Sequence, residues 1–319
     1  MPAEGVDLTP VPELLTSAEI VRLAALFARA GVSKVRLTGG EPTLRKDLVE
    51  LVGQLAALPG VDTVALTTNG ITLARQLDEL LSAGLTHLNV SLDTLRAERF
   101  ERLVRRRGHS RVLQAVDRSL EAVRDGRLRS LKVNVVVQRG VNDDEIGDFV
   151  RWTKDHPLNV RFIEWMPFDG NVWSRGKMVS FREMFDAACA AVPSLRGDPS
   201  PPAEGAPLPA SLQRLPDPRG EVARNFCIPG HVGTVSFIAS MTKPFCGDCN
   251  RLRLMADGNL KVCLFGASEV SLRDALRGGA SERELLAIMH AALGRKRAAH
   301  AGMFELAASK NRAMVKIGG

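Results

Sequence analysis

From Lys34 to Met166 the chain repeats one pattern, and that pattern constrains the fold more than any other feature. A short apolar strand closes on a polar or glycine-rich cluster, and a helix then returns the chain. Lys34–Leu37 closes on Thr38-Gly39-Gly40-Glu41-Pro42, and the next helix carries Leu48, Leu51, Val52 and Leu55 to a stop at Pro59-Gly60. Thr63–Leu66 closes on Thr67-Thr68-Asn69-Gly70, and His87–Val90 runs into Ser91-Leu92-Asp93. Leu131–Val137 and Asn159–Met166 continue the series. Strands alternating with helices at this pace predict right-handed βαβ units on a parallel sheet. An open sheet would gather its site at one crossover. Polar ends on every strand instead predict a β/α barrel, complete or partial, whose strand ends converge on one face.

The helix before the first strand opens on the capping box Thr16-Ser17-Ala18-Glu19 and carries Ile20, Leu23, Ala24 and Phe27 at helical spacing up to Gly31. Residues 193–220 change character, with eight prolines among small and charged residues, and read as a linker or excursion. Beyond them Thr234–Ile238 and Leu252–Leu254 read as strands flanking a cysteine array, and Ser281 with Glu284 opens a late helix. The expected division is a partial barrel over 1–192, the proline-rich excursion over 193–220 and a small C-terminal unit over 221–319.

The cysteine array is Cys246, Cys249 and Cys263, a C-x2-C-x13-C spacing. A pair two residues apart turns both thiolates to one centre, and a hairpin can bring the third. Soft thiolates select zinc, copper(I) or an iron–sulfur cluster. A structural zinc site wants four protein ligands, and no second close pair exists. A [4Fe–4S] cluster held by three thiolates leaves one iron open for a substrate atom. The remaining cysteines, Cys189 and Cys227, stand apart, as a packed helical thiol and a core or surface thiol. Five clustered cysteines fit a reducing compartment better than a disulfide framework.

The 43 lysines and arginines exceed the 36 aspartates and glutamates to give +7, which favours an anionic partner. Tyrosine is absent and aromatics are only 5%, so little stacking surface for single-stranded nucleic acid exists, and a small anion is the better expectation. No run of 18 apolar residues is present, and the N-terminus lacks the basic and apolar regions of a signal peptide. Taken singly, each strand-end cluster has a plain reading: a tight turn at Gly39-Gly40, an N-cap at Ser91 or Asp93, a solvated Lys132, a core Met166. The Arg105-Arg106-Arg107 run reads as a solvated helix face.

Together these clusters resemble the GTP 3′,8-cyclase family of molybdenum cofactor biosynthesis, radical S-adenosylmethionine (SAM) enzymes, over the whole sequence. The resemblance implies an α/β fold: an incomplete, TIM-like β/α barrel of the radical SAM type, with a small C-terminal iron–sulfur module. It implies SAM contacts from Gly40, in the loop that holds the SAM amino group, and from Ser91 and Met166. It implies GTP contacts from Arg36, Thr67, Lys132, Arg251, Leu252 and Arg253, and a [4Fe–4S] cluster on Cys246, Cys249 and Cys263 whose open iron meets the guanine. The Gly318-Gly319 tail is similar to one that reaches the active site in the family.

In the family, the Met-Pro-x-Glu-Gly seen here as Met1–Gly5 directly follows a C-x3-C-x2-C motif. That motif holds a second, SAM-cleaving [4Fe–4S] cluster, and with it go a first strand and a basic GTP contact. The expectation is a sequence begun at an internal methionine, unable to cleave SAM alone. The reaction implied turns GTP into 3′,8-cyclo-7,8-dihydro-GTP: a 5′-deoxyadenosyl radical removes H3′, and the C3′ radical attacks C8. Implied partners are an electron donor and a downstream cyclic pyranopterin synthase, with neither membrane nor nucleic acid, and a homodimer is left open. The implied compartment is the mitochondrial matrix in a eukaryote and the cytoplasm otherwise. The rival class is a zinc-stabilised nucleotide or nucleic-acid binding module on a barrel scaffold.

Overall fold

The computed structural model describes residues 9–169, 171, 173–192, 212–218, 220–243, 249–265, 268–296 and 311–317. Helix α1 (Ser17–Arg29) starts at the predicted capping box, where the Thr16 hydroxyl accepts from the Glu19 amide and the Glu19 carboxylate accepts from the Thr16 amide. Such a cap stabilises a helix by about 1 kcal/mol.

The barrel strands follow: β1 (Lys34–Leu37), β2 (Thr63–Thr68), β3 (His87–Ser91), β4 (Ser130–Val137) and β5 (Asn159–Glu164). Helices α2 (Leu48–Ala56), α3 (Leu77–Ser82), α4 (Ala97–Val104), α5 (His109–Arg124), α6 (Ile146–Trp152) and α7 (Phe181–Ala190) come between and after them. Each strand pairs in parallel with the next. Strand β5 leaves the sheet at Glu164, short of Met166, because Pro167 cannot donate to a ladder.

Three further strands lengthen the sheet beyond residue 212: β6 (Gln213–Arg214), β7 (Arg224–Cys227) and β8 (Thr234–Ile238). The spatial order is β1-β2-β3-β4-β5-β8-β7-β6, with β8 parallel to β5 and the last two antiparallel. Strand β8 therefore belongs to the barrel sheet. Its Val235 and Phe237 stand beside Val160 and Phe162 of β5, which continues the apolar face without a break. A separate three-stranded sheet, β9 (Arg253–Leu254), β10 (Asn259–Lys261) and β11 (Val270–Ser271), leads to α8 (Leu272–Arg277) and α9 (Glu282–Gly294).

The two ends of the chain are interleaved. Leu15, Leu23 and Leu26 pack with Leu260, Leu272, Leu276, Leu285 and Met289 in one buried cluster. Arg277 binds Glu19 at 2.7 Å and donates to the carbonyls of Pro12 and Leu14. Arg29 pairs with Glu282 at 2.7 Å. Helix α1 thus covers the C-terminal sheet as well as the barrel.

The main core lies between the outer face of the barrel sheet and its helices. Leu66, Leu88, Val90, Val133, Val135, Val160, Phe162, Val235 and Phe237 are buried there, with Phe149, Phe185 and Phe226 stacked edge-on among them. In closed parallel barrels the inner face is also filled with branched apolar residues. Here it is polar.

Candidate active site

Register lines up the inner side chains in rows across the strands, because successive residues of a strand point to opposite faces. One row is Arg36, Ala65, His87 and Ser130; the next is Thr67, Asn89, Lys132, Asn159 and Thr234; the third is Ser91, Asn134, Arg161 and Ser236. Many of these groups are hydrogen-bonded across the strands. Arg36 reaches the Thr67 hydroxyl at 3.3 Å, Arg161 donates twice to Asn134 Oδ1 at 2.8 and 2.6 Å, and Asn159 bridges Thr234 and Ser236 at 2.6 and 2.7 Å. Asn89 is 3% exposed, and its Oδ1 accepts no hydrogen bond among the described residues. A buried polar atom left open at the centre of such a face is a ready contact for a polar ligand.

Charge is concentrated on the same face. Lys34, Arg36, Lys132, Arg161 and, from beyond the barrel, Arg251 lie within one another's fields. Burial, reinforced by Arg251, lowers Arg36 to about 10, and burial with Arg36 and Arg251 does the same to Arg161. Lys34 and Lys132 are lowered chiefly by burial too. Arg36 and Arg161 stay protonated near neutrality, and the four basic groups are crowded and short of counter-charge. Among the described residues, Lys132 alone of this group has a carboxylate partner, Glu221 at 3.4 Å. Burial and the cations Lys34, Arg36, Lys132 and Arg129 push His87 down to about 4, so it is neutral at pH 7. A polyanion with several oxygens answers this excess of donors and charge.

Both glycines after β1 adopt left-handed backbone, Gly39 at φ 84° and Gly40 at φ 51°. Nothing stands within 4 Å of a Cβ added at either, so the turn keeps an open flank. Glu41 fixes this turn to the end of β2, accepting from Thr68 Oγ1 at 2.5 Å, the Asn69 amide at 2.7 Å, and the hydroxyl and amide of Thr43 at 2.6 and 3.1 Å. Ser91 is exposed at the end of β3. It is no helix cap, since the N-cap of α4 is Arg96. Asp93 is no cap either; its Oδ1 accepts from the Val136 amide at 2.8 Å, and burial raises it to about 6.

The end of β5 is pinned by Glu164, which is wholly buried and accepts from the amides of Phe181, Met241 and Thr242 at 2.8, 2.7 and 2.9 Å. Met166, just beyond, packs with Phe168, Met255, Phe265 and Ile317 on one side and with Met178 and Met241 on the other. Met166 and Phe265, which follows Cys263, thus pack against the same two apolar clusters.

In the C-terminal unit the β9–β10 hairpin pairs Leu254 with Leu260 and Arg253 with Lys261. Cys249 and Cys263 thereby come to the same end, both as half-buried free thiols. Arg253 is lowered by burial and by Arg251, and the Cys249 and Cys263 sulfurs oppose that shift. Lys296 donates to the carbonyls of Cys249 and Arg251 at 2.5 and 3.2 Å, with Cys249 Sγ at 3.6 Å. Cys246 lies outside the described residues, as does the Gly318-Gly319 tail. Among the described residues no three His, Cys, Asp or Glu side chains form a metal-ready group. The two described thiols, placed at the same end of a hairpin and faced by the cations Arg253 and Lys296, fit an all-sulfur centre that carries net negative charge.

The structure thus brings Arg36, Thr67 and Lys132 together with Arg251, which in turn neighbours Arg253, and it puts Gly40, Ser91 and Met166 at the same end of the barrel. It adds Lys34, His87, Asn89, Arg161, Glu221 and Lys296, none of which the motifs single out. For the strand residues the signal was available, since Lys34 and Arg161 occupy the same alternate positions as Arg36 and Lys132. For Glu221 and Lys296 the linear sequence carries none.

Residues 6–153 match the Radical SAM superfamily and residues 158–302 match Molybdenum Cofactor Synthesis C. Over 319 residues the chain is 54% identical to "GTP 3′,8-cyclase, mitochondrial" of Arabidopsis thaliana, covering all of this chain and 76% of that protein. It is 42% identical to "GTP 3′,8-cyclase" of Heliobacterium modesticaldum, covering all of this chain and 92% of that one. "Molybdenum cofactor biosynthesis protein 1" of Mus musculus is 52% identical, and the chain spans 47% of its length. Two matching halves and relatives at this identity over the full sequence make the chain a member of the GTP 3′,8-cyclase family of radical SAM enzymes.

Proposed function

We propose that this chain binds GTP on the polar inner face of its barrel and serves the cyclisation of GTP to 3′,8-cyclo-7,8-dihydro-GTP in molybdenum cofactor biosynthesis. The observation that carries the reading is the convergence of Lys34, Arg36, Lys132 and Arg161 with Arg251 on one buried, hydrogen-bonding surface. Those cations hold the triphosphate; Thr67 and Asn89 add neutral hydrogen-bonding groups. Arg251, Leu252 and Arg253 border the base, beside the place where Cys246, Cys249 and Cys263 would hold a [4Fe–4S] cluster. Gly40, Ser91 and Met166 would hold SAM at the strand ends.

When bound, SAM with its reducing cluster supplies a carbon radical able to abstract hydrogen, and the C-terminal cluster supplies an open iron for the base. The chain's own residues fix the nucleotide between two anchors, phosphates at one end and base at the other. Such fixing makes an intramolecular attack of ribose on base geometrically accessible. The apolar residues packed around Met166 would shield the SAM side of the site from solvent.

None of the 188 residues before Cys189 is a cysteine, so this sequence holds no N-terminal C-x3-C-x2-C set for the SAM-reducing cluster. Binding is therefore the direct test. Isothermal titration should show GTP binding well above guanosine, with affinity falling as salt rises. Equal binding of GTP and guanosine would sink the reading. A nucleic-acid module would instead display its cations on an open surface, whereas Arg36 and Arg161 face into the barrel. An electron donor and a downstream cyclic pyranopterin synthase complete the proposed setting. The relative named as mitochondrial supports a mitochondrial setting for a eukaryotic source; the cytoplasm is the proposed compartment otherwise. Among the described residues no helix is long and apolar enough to cross a membrane.

A further inference from the structure

Among the described residues, Glu221 is the acidic group that acts on Lys34, Arg36, Lys132 and Arg161 in a field otherwise made of cations. It precedes β7, its side chain is 16% exposed, and its carboxylate meets Lys132 Nζ at 3.4 Å. Arg161 and Arg251 also act on it, and its own charge is felt at Lys34 and Arg36. Burial alone would raise its pKa, yet Lys132, Arg161 and Arg251 together hold it below the ordinary carboxylate range. The carboxylate is ionised at neutral pH.

Its position is set by the backbone beside it. Gly220 has φ 76°, and a Cβ there would come within 2.3 Å of the Asn250 side-chain amide. The left-handed backbone favours glycine, and the close approach of the Asn250 side chain shows the Glu221 turn lying against the segment that carries Arg251, Leu252 and Arg253. Glu221 thus bridges the two parts of the molecule that supply cations to the site: its backbone turn packs on the C-terminal unit and its carboxylate on β4.

A carboxylate buried in a polyanion site opposes the ligand that site is built for. We propose that Glu221 is the resident counter-ion of the site: it neutralises Lys132 and its neighbours while no ligand is bound, and it competes with ligand phosphate for Lys132. Two consequences follow from its charge. The unliganded protein is more stable with Glu221 than without it, because the crowded cations repel one another less. The liganded site is weaker with it, because phosphate must share or displace a partner already present. Glu221 is in this way an affinity-setting residue that keeps the site from retaining phosphates too firmly for exchange.

The inference rests on the phosphate reading of the inner face, and inorganic tripolyphosphate separates the two. Calorimetric titration of the 319-residue chain and of Glu221→Gln with tripolyphosphate should show the variant binding about tenfold more tightly. Thermal melts without ligand should place the variant below the parent, and with saturating tripolyphosphate that gap should close. Lys132→Gln should bind more weakly than the parent. If the parent binds tripolyphosphate and Glu221→Gln binds equally or less well, while its circular dichroism is unchanged, the counter-ion role is wrong and the phosphate site stands. If Glu221→Gln loses GTP but keeps tripolyphosphate, Glu221 contacts the nucleoside instead, which also overturns the role. If neither protein binds tripolyphosphate, the phosphate reading itself fails and takes this inference with it.

Discussion

The outer and inner faces of the barrel sheet are made by alternate residues of the same strands, and they do opposite things. In β5, Val160 and Phe162 point outward into the helix-covered core, while Asn159 and Arg161 point inward to the hydrogen-bonded rows. In β4, Val133 and Val135 are core residues and Lys132 and Asn134 are site residues. The outer face stabilises by burying apolar area. The inner face collects cations whose burial costs stability, and it holds them ready for a ligand that supplies the missing charge. Stability and function are therefore divided by residue parity along each strand.

The largest effect expected from breaking that division is on the outer face. Phe162→Ala removes a fully buried ring that packs on Phe149 and Phe237, and should destabilise the chain by about 3–5 kcal/mol. Denaturant unfolding checks this, and the folded fraction should still bind GTP normally. A loss of binding by folded protein would show that the faces are not independent.

The inner-face counterpart should do the reverse. Arg161→Met leaves Asn134 Oδ1 short of its donors, a cost of about 1–3 kcal/mol, but it also removes a buried cation that Arg36 and Arg251 repel. Stability should stay within about 1 kcal/mol of the parent while GTP affinity drops by about tenfold or more. A large fall in melting temperature with unchanged affinity would make Arg161 a structural residue.

The smallest effect is a pH dependence. His87 is held at about 4 against an ordinary value of 6.5, so the fold prefers its neutral form. The stability it contributes is complete above about 6.5 and is lost as pH falls from there through 4, where the unfolded chain takes up the proton first. His87→Gln should flatten the stability loss between pH 7 and 5, measured as urea midpoints. Bound polyphosphate offsets the cations that depress His87, so binding should take up protons near pH 6, which titrations in buffers of different ionisation enthalpy would register.

Much of this was legible in linear order. The five repeats of strand, polar cluster and helix locate β1 to β5, and the capping boxes at Thr16 and Ser281 locate α1 and α9. The alternation within Leu131–Val137 and Asn159–Glu164 already separates an apolar face from a polar one, although Lys34 and Arg161 stand out only once Arg36 and Lys132 are seen beside them. Arg105-Arg106-Arg107 is solvated as expected but is no helix face: α4 ends at Val104, Arg105 caps it in left-handed backbone at φ 59°, and the three side chains are exposed in the bend that follows.

What the sequence by itself determined is the local order: the strand and helix succession, the parity of each strand and the cysteine spacing. All of these arise from short-range periodicity and backbone chemistry, which any window of ten to twenty residues contains. What only the tertiary structure decided is which distant groups meet. Strand β8 joins β5 across more than 70 residues of sequence, α1 covers the C-terminal sheet, and Glu221 arrives opposite Lys132. Such meetings depend on where a curved sheet turns back and which loop fits against which segment. Closure of that kind is a property of the whole packed chain, and no stretch of residues carries it alone.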